Sequence, residues 1–172
     1  MRVLGIDPGT QYLGLGLVER RSGRVTHVAH FLLRPRDCDG LPDRLAYLFD
    51  AITEVIAQHR PEEVAVEGVF YARNARSAIV LAHARGIALL CAARAGLPVF
   101  EYAPASVKRA VGVSGAAQKE AVTRMVCTLL GLREVERADC ADALAVALCH
   151  LNHSAPRIAA AAPGFARIVR RS

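Results

Sequence analysis

The sequence predicts an α/β domain built on a mixed sheet that is flanked by helices. Apolar runs at 2–7 and 64–67 each end in a carboxylate, which is typical of buried strands that present an acid at the edge of an open α/β sheet. Strand-like segments and segments with helical apolar spacing alternate along the rest of the chain. A chain of 172 residues that is 53% hydrophobic can bury one sizeable core.

The first half of the chain is predicted to supply four of the strands and one helix. Residues 13–19 and 25–33 are strand-like and are separated by a Ser-Gly turn, so they are expected to form a hairpin. A helix is expected from Pro42 to Arg60, since proline is favoured at the first helical position and a second proline follows Arg60.

The second half is predicted to contain one more strand and four helices. Residues 75–95 are rich in Ala and Gly and apolar nearly all round, so this helix is expected to be buried on a second face, in the core or against another subunit. The remaining elements are predicted to be a strand at 98–102 and helices at 105–111, 118–130 and 137–151.

Residues 1–153 are expected to form one domain, and residues 154–172 a mobile basic tail rich in Ala, Pro and Arg.

Composition excludes several classes of protein. No apolar run reaches about 18 residues, and the N-terminus does not resemble a signal peptide, so neither a membrane nor an export route is expected. The five cysteines lack CxxC spacing, which favours a reducing, cytoplasmic location over a disulfide framework or a zinc site.

Charge is unevenly distributed along the chain. By count, residues 1–67 carry 8 basic and 10 acidic groups, 68–131 carry 8 and 2, 132–153 carry 2 and 4, and 154–172 carry 4 and none, for a total of +6. This pattern is expected when a carboxylate site lies beside a phosphate-binding surface. The alternative is an ordinary solvated face followed by a basic tail.

Four acids are candidates for one site. Asp7 and Glu67 end the two predicted strands, and Asp139 and Asp142 are spaced to lie on one face of the last helix. Asp7 could instead only cap its turn, and the helix pair could only complement the helix dipole. All-carboxylate clusters favour Mg²⁺ or Mn²⁺, and two such ions can support phosphoryl transfer.

The motifs, taken in order, resemble the RuvC family of bacterial Holliday junction resolvases from residue 2 to about 153. The motifs that carry the resemblance are Gly5-Ile-Asp-Pro-Gly-Thr10, Val66-Glu-Gly-Val-Phe70, Ala75-Arg-Ser-Ala78, Ala84-Arg-Gly86, Leu97-Pro-Val-Phe-Glu-Tyr102 and Ala138-Asp-Cys-Ala-Asp-Ala-Leu-Ala145. The resemblance implies an RNase H-like fold with a five-stranded mixed sheet. It also implies a homodimer that makes paired, Mg²⁺-dependent nicks across a four-way DNA junction, together with a branch-migration motor.

The resemblance also assigns residues to roles. The catalytic acids of the family fall on Asp7, Glu67, Asp139 and Asp142, with all four acids matching. The aromatic residue that contacts unstacked bases falls on Phe70, and the two basic residues of the site fall on Lys108 and Lys119.

The residues themselves support some of the basic and aromatic assignments. Lys108 and Lys119 are the only lysines beside 20 arginines, and lysine is a compact charge that can approach a scissile phosphate. Phe70 follows Glu67 closely and could stack on a base, or it could enter the core as the strand ends.

Other residues have more open interpretations. Arg73 and Arg76 are expected to bind backbone phosphate, with solvated arginines as the alternative. The helix at 75–95 is expected to form the dimer contact. His150 is expected to be a packed or surface histidine.

Two other functions are alternatives for this sequence. Gly5-Ile-Asp-Pro-Gly-Thr10 also resembles the first phosphate loop of actin-like ATPases and sugar kinases, but one copy of that loop in 172 residues argues against them. A domain that grips branched DNA without cutting it is the other alternative. The full set of acids argues against a pure binder, because carboxylates near phosphate weaken binding.

Overall fold

The computed structural model describes residues 1–36, 38–68, 75–113 and 119–154, with only the backbone described at 75–77 and 119. Within these ranges the predicted strands and helices are present, with ends shifted by one or two residues. The elements are β1 (Arg2–Asp7), β2 (Leu13–Arg21), β3 (Arg24–Leu33), α1 (Leu41–His59), β4 (Glu63–Glu67), α2 (Ala75–Arg94), β5 (Val99–Tyr102), α3 (Pro104–Ala110), α4 (Lys119–Leu130) and α5 (Ala138–His153).

The strands form one mixed sheet in the order β3-β2-β1-β4-β5. β1, β2 and β3 pair antiparallel through the hairpin, whereas β1, β4 and β5 run parallel. Ile6 lies opposite Val66 in the parallel pair, so Asp7 and Glu67 end neighbouring strands at the same edge. The five-stranded mixed sheet predicted from the sequence is confirmed.

Alternation along the strands decides which helix each residue faces. Leu4 and Ile6 belong to the apolar cluster that α1 and α2 cover, whereas Val3 belongs to the cluster around α5. Because side chains alternate between the two faces of a strand, Gly5 and Asp7 share the α5 face with Val3. The first predicted carboxylate is thereby directed toward the last helix.

Small residues allow α5 to lie directly on the sheet. A Cβ at Gly16 would lie 2.6 Å from the Leu144 amide nitrogen, and one at Gly5 would lie 2.8 Å from the Ala147 nitrogen. Both distances are shorter than van der Waals contact, so only glycine is compatible with this packing. The apolar middle of α5 is accordingly buried from Ala143 through Leu151.

Two further expectations are tested by the described residues. All five cysteines are free thiols, as expected. In the part of the chain that the structure describes, none of the helices is both long and apolar enough to cross a bilayer. The predicted basic tail lies almost wholly outside the described residues.

Candidate active site

Asp7 is held at the end of β1 by a tight turn. The strand before it is buried from Val3 to Ile6, and Asp7 itself is half-buried. A Cβ at Gly9 would overlap the carbonyl group of Tyr12, so the chain can turn this sharply only with glycine at that position. The turn therefore leaves the carboxylate at the edge of the sheet instead of extending the strand.

Glu67 occupies the equivalent position on β4. It lies opposite Tyr102 of β5, and the Gly68 amide donates a 2.9 Å hydrogen bond to the Tyr102 carbonyl, which holds the end of the strand. Glu63, four residues earlier on the same strand, contacts His150 of α5. Since residues i and i+4 of a strand share a face, Glu67 also lies on the α5 side of the sheet.

Asp139 and Asp142 come from the first turns of α5, which begins over β2. A Cβ at Gly14 would overlap the Asp139 carbonyl oxygen and would lie 2.5 Å from its carbonyl carbon, so this helix end rests on the strand. Gly14 is paired with Asp7 in the sheet. The start of α5 therefore lies at the same edge as the carboxylate of β1.

The electrostatics around Cys140 show how closely these charges lie. The pKa of the Cys140 thiol is raised to about 11, mainly by burial and also by the carboxylates of Asp139 and Asp7, while the guanidinium groups of Arg137 and Arg34 oppose the rise. Asp7 and Asp139 thus act on one buried thiol from two different elements. Arg137 also forms an ion pair with Asp139, with a nitrogen–oxygen distance of 3.5 Å.

Asp7, Glu67 and the Asp139 end of α5 lie at one edge of the sheet, on the α5 side, and the side chains of all four acids are half-buried. As they are placed, no three His, Cys, Asp or Glu side chains in the described ranges form a group that could hold a metal ion. The donor set is still the one that Mg²⁺ favours, because it consists of carboxylates without sulfur or imidazole. Their joint use as metal ligands therefore stays a prediction.

The basic residues predicted for the site are only partly described. Lys108 is half-buried in the last turn of α3, and the neighbouring Ala110 carbonyl accepts a 3.1 Å hydrogen bond from Asn152 near the end of α5. Asn152 is about 20 Å along the helix axis from Asp139. These backbone contacts do not place the Lys108 ammonium against the carboxylates, and its role stays a prediction.

The other predicted DNA-binding residues fall at or beyond the limits of the described structure. Lys119 begins α4 and Arg76 lies in the first turn of α2, but neither side chain is described. Phe70 and Arg73 lie outside the described residues.

A buried polar network was missed by the sequence reasoning. His150 is 1% exposed, and its Nε2 lies 2.5 Å from an oxygen of Glu63, which is 4% exposed. Its Nδ1 lies 2.8 Å from the Tyr102 hydroxyl. Of the two alternatives expected for His150, packed or at the surface, the structure shows the packed one, and its partners are 87 and 48 residues away in sequence. The one available signal was a histidine within the apolar run of α5, opposite a glutamate that begins a buried strand.

Comparisons with known proteins agree with this arrangement. A family profile described as crossover junction endodeoxyribonuclease RuvC matches residues 3–150. The chain is 58% identical to the protein of that name from Myxococcus xanthus over 163 residues, covering 94% of this chain and 85% of the relative. It is 51% identical to the one from Halorhodospira halophila over 168 residues, covering 96% and 99% of the two chains.

Solved structures give the same result. The T. thermophilus RuvC described as in complex with a Holliday junction substrate superposes with a TM-score of 0.78 at 36% identity, covering 88% of this chain and 93% of that one. The yeast mitochondrial Holliday junction resolvase Ydc2 has a TM-score of 0.60 at 15% identity, which shows a shared fold. The RNase H-like resolvase fold, the matched profile and the close relatives together show that this chain belongs to the RuvC family of crossover junction endodeoxyribonucleases.

Proposed function

We propose that this chain resolves Holliday junctions, cutting two strands of a four-way DNA junction at symmetric positions by hydrolysis of phosphodiester bonds. The observation that carries the proposal is that β1, β4 and the start of α5, which hold Asp7, Glu67, Asp139 and Asp142, meet at one edge of the sheet. Membership in the RuvC family supports the same activity. The basic segment at 68–131 supplies the positive charge that a polyanionic substrate requires.

The four carboxylates are the residues that would hold the metal. Mg²⁺, with Mn²⁺ as a second candidate, fits a donor set made of oxygen atoms alone. Two bound ions would supply Lewis acidity at both the attacking and the leaving oxygens of an in-line displacement. The chain's own contribution would be to hold like charges together at a half-buried edge, where they are costly without a cation.

Packing fixes the backbone at three of these acids. Asp7 and Glu67 are held by neighbouring strands in register, and Asp139 by a helix that rests on Gly14. Arg137 restrains Asp139 through their ion pair. Such restraint matters because small errors in the placement of catalytic groups are costly to the rate.

The remaining predicted residues would contact the DNA. Lys119 would stabilise charge that develops on the scissile phosphate, and Lys108 would position the strand. Phe70 would stack on an unpaired base, and Arg73 and Arg76 would bind backbone phosphates. These roles follow from the family resemblance and from the chemistry of the side chains.

We also propose that the active form is a homodimer, because a junction with two-fold symmetry is matched by two symmetric sites. The exposed apolar residues of α2 support this: Ile79 is 58% exposed and Leu90 is 47% exposed. A helix with apolar residues on a second, uncovered face is suited to contact another copy. The family resemblance further implies that a branch-migration motor acts on the same junction.

The decisive experiment is cleavage of a synthetic four-way junction during a titration with Mg²⁺, with a linear duplex of the same sequence as the substrate control. We expect symmetric nicks in the junction and none in the duplex. Asp7→Asn should abolish cleavage and leave the Kd for the junction within about three-fold of wild type, because phosphate contacts supply most of the affinity.

Asp50→Asn is the matched control variant, since Asp50 is exposed on α1, on the other face of the sheet. It removes the same charge and should cut as wild type does. Wild-type rates of cleavage by Asp7→Asn would overturn the assignment of the site. Junction binding without any metal-dependent nicking by the wild type would identify a binding module instead of a nuclease.

A further inference from the structure

A polar recess lies beside the acidic edge and has no role in the proposed function described above. It has a volume of about 200 Å³ and is lined by Gln11, Tyr12, Arg34, Pro35, Arg36 and Arg44. We refer to these six residues as the Tyr12 recess. It is formed where the turn after β1 meets the segment that follows β3, because Leu13 and Leu33 are paired in the sheet.

Tyr12 organises the cations around this recess. The guanidinium carbon of Arg34 lies 5.4 Å from the centre of the Tyr12 ring, and that of Arg137 lies 4.8 Å from it. Both distances are within the range of cation–π attraction. The ring is still 44% exposed. Tyr12 therefore holds two arginines at the surface without neutralising them.

The arginines of the recess have unused hydrogen-bonding capacity. In the described part of the chain, the Nε atoms of Arg34 and Arg44 are buried and have no hydrogen-bond partner. Arg2, Arg85 and Arg137 share this feature, but each of them forms an ion pair with a carboxylate through another nitrogen. Among the described residues, neither Arg34 nor Arg44 takes part in such an ion pair.

Unpaired cationic donors beside an open recess favour an anion with several oxygen acceptors. Leaving a buried donor unpaired is costly, and guanidinium groups bind phosphate through geometrically matched hydrogen bonds. Three of the six lining residues are arginines and none is acidic. The lining therefore presents positive charge to an incoming ligand.

The recess adjoins the acidic edge through shared residues. Tyr12 follows Asp7 by five residues, and Arg137 contacts both the Tyr12 ring and Asp139. A DNA strand whose phosphate lay at the carboxylates would continue past this recess in one direction. A free small anion could not contact both the recess and the acidic edge. The position of the recess therefore favours a DNA backbone over a free anion as its ligand.

We propose that the Tyr12 recess binds a backbone phosphate of the junction DNA that flanks the scissile phosphate, with Arg34 and Arg44 as the ligands and Tyr12 as the residue that orients Arg34. This inference rests on the proposed function, because it takes junction DNA as the substrate. It adds a subsite on the β2–β3 side of the acidic edge.

The test measures the Kd of a synthetic four-way junction in EDTA, so that binding is read without cleavage, across a series of salt concentrations. The double variant Arg34→Gln/Arg44→Gln should weaken binding about ten-fold at 0.1 M salt and reduce the slope of log K against log salt by about 1, as expected for one lost phosphate contact. The matched control is Arg21→Gln/Arg24→Gln, which removes two charges at the opposite end of the same hairpin. It should leave the slope unchanged.

Tyr12 is tested through its ring. Tyr12→Phe keeps the face on which the arginines lie and should bind as wild type does, whereas Tyr12→Leu should approach the loss seen in the arginine double variant. Urea unfolding of each variant checks that the fold is retained. If Arg34→Gln/Arg44→Gln keeps the wild-type Kd and salt slope, or if the control double variant loses as much, the subsite is refuted even where the wild type cuts junctions. A wild type that does not cut refutes the nuclease proposal separately.

Discussion

Gly14→Ala tests whether the position of α5 sets the geometry of the acidic edge. Gly14 is paired with Asp7 in the sheet, and it is the residue on which the Asp139 end of α5 rests. An added methyl group would lie 2.5 Å from the Asp139 carbonyl carbon and would overlap its oxygen. Both neighbours are backbone atoms, so no side-chain rotation can relieve the contact.

The size of the effect follows from these distances. Ordinary van der Waals contact begins near 3.4 Å, so the start of α5 must move at least about 0.9 Å away from β2. A misplacement of about 1 Å in a catalytic group costs about 100-fold in rate. Overpacking of this kind also costs about 1–3 kcal/mol of folding free energy.

The assay is single-turnover cleavage of a four-way junction in Mg²⁺, at a temperature where urea unfolding shows that each variant is fully folded. Gly40→Ala is the control: its backbone is extended, with φ −159°, and an added Cβ would only meet Pro42 Cδ at 3.5 Å, on the other face of the sheet. It should cut as wild type does. A Gly14→Ala variant that keeps wild-type cleavage and stability would refute the reasoning that close packing of α5 positions the acids.

Two further predictions concern the buried end of α5. His150→Ala leaves Glu63 buried without its histidine partner and should cost about 3–5 kcal/mol in urea unfolding, and a loss below 1 kcal/mol would show that the pair is not a structural anchor. Burial raises the pKa of the Cys149 thiol from 9.0 to about 11, so the folded state keeps its proton where the unfolded chain loses it. The free energy of unfolding should therefore be unaffected by this thiol below pH 9 and should fall as the pH rises from 9 toward 11. The fall should be shallower in Cys149→Ala. Equal slopes of unfolding free energy against pH in the two proteins would contradict this.

The local sequence was enough to predict the elements of the fold. Strand 2–7 was predictable because an apolar run that ends at Asp7-Pro8-Gly9 cannot continue either as a helix or as a strand. The helix that starts at Leu41 was predictable from apolar spacing and a proline at its beginning. Such signals depend on backbone geometry within a few residues. The predicted and observed elements accordingly differ only at their ends.

The acids were predictable as single residues because each ends an element in an otherwise apolar setting. That Asp7, Glu67 and Asp139 share one face follows from the strand order and from the register of β1 with β4, which no local pattern contains. Asp7 and Glu67 lie on the same faces of their strands as Val3 and Ala65. Only the position of α5 shows that this is the face that the last helix covers.

Other features were decided by tertiary structure alone. The contact between Glu63 and His150 joins residues 87 positions apart, and the Tyr12 ring brings Arg34 and Arg137 together from the two halves of the chain. The amino-acid sequence by itself determined which residues are charged, which segments are strands or helices, and where each one turns. The packing of α5 across the sheet decided which charges lie close together, because electrostatic contacts depend on distances in space and not on separation along the chain.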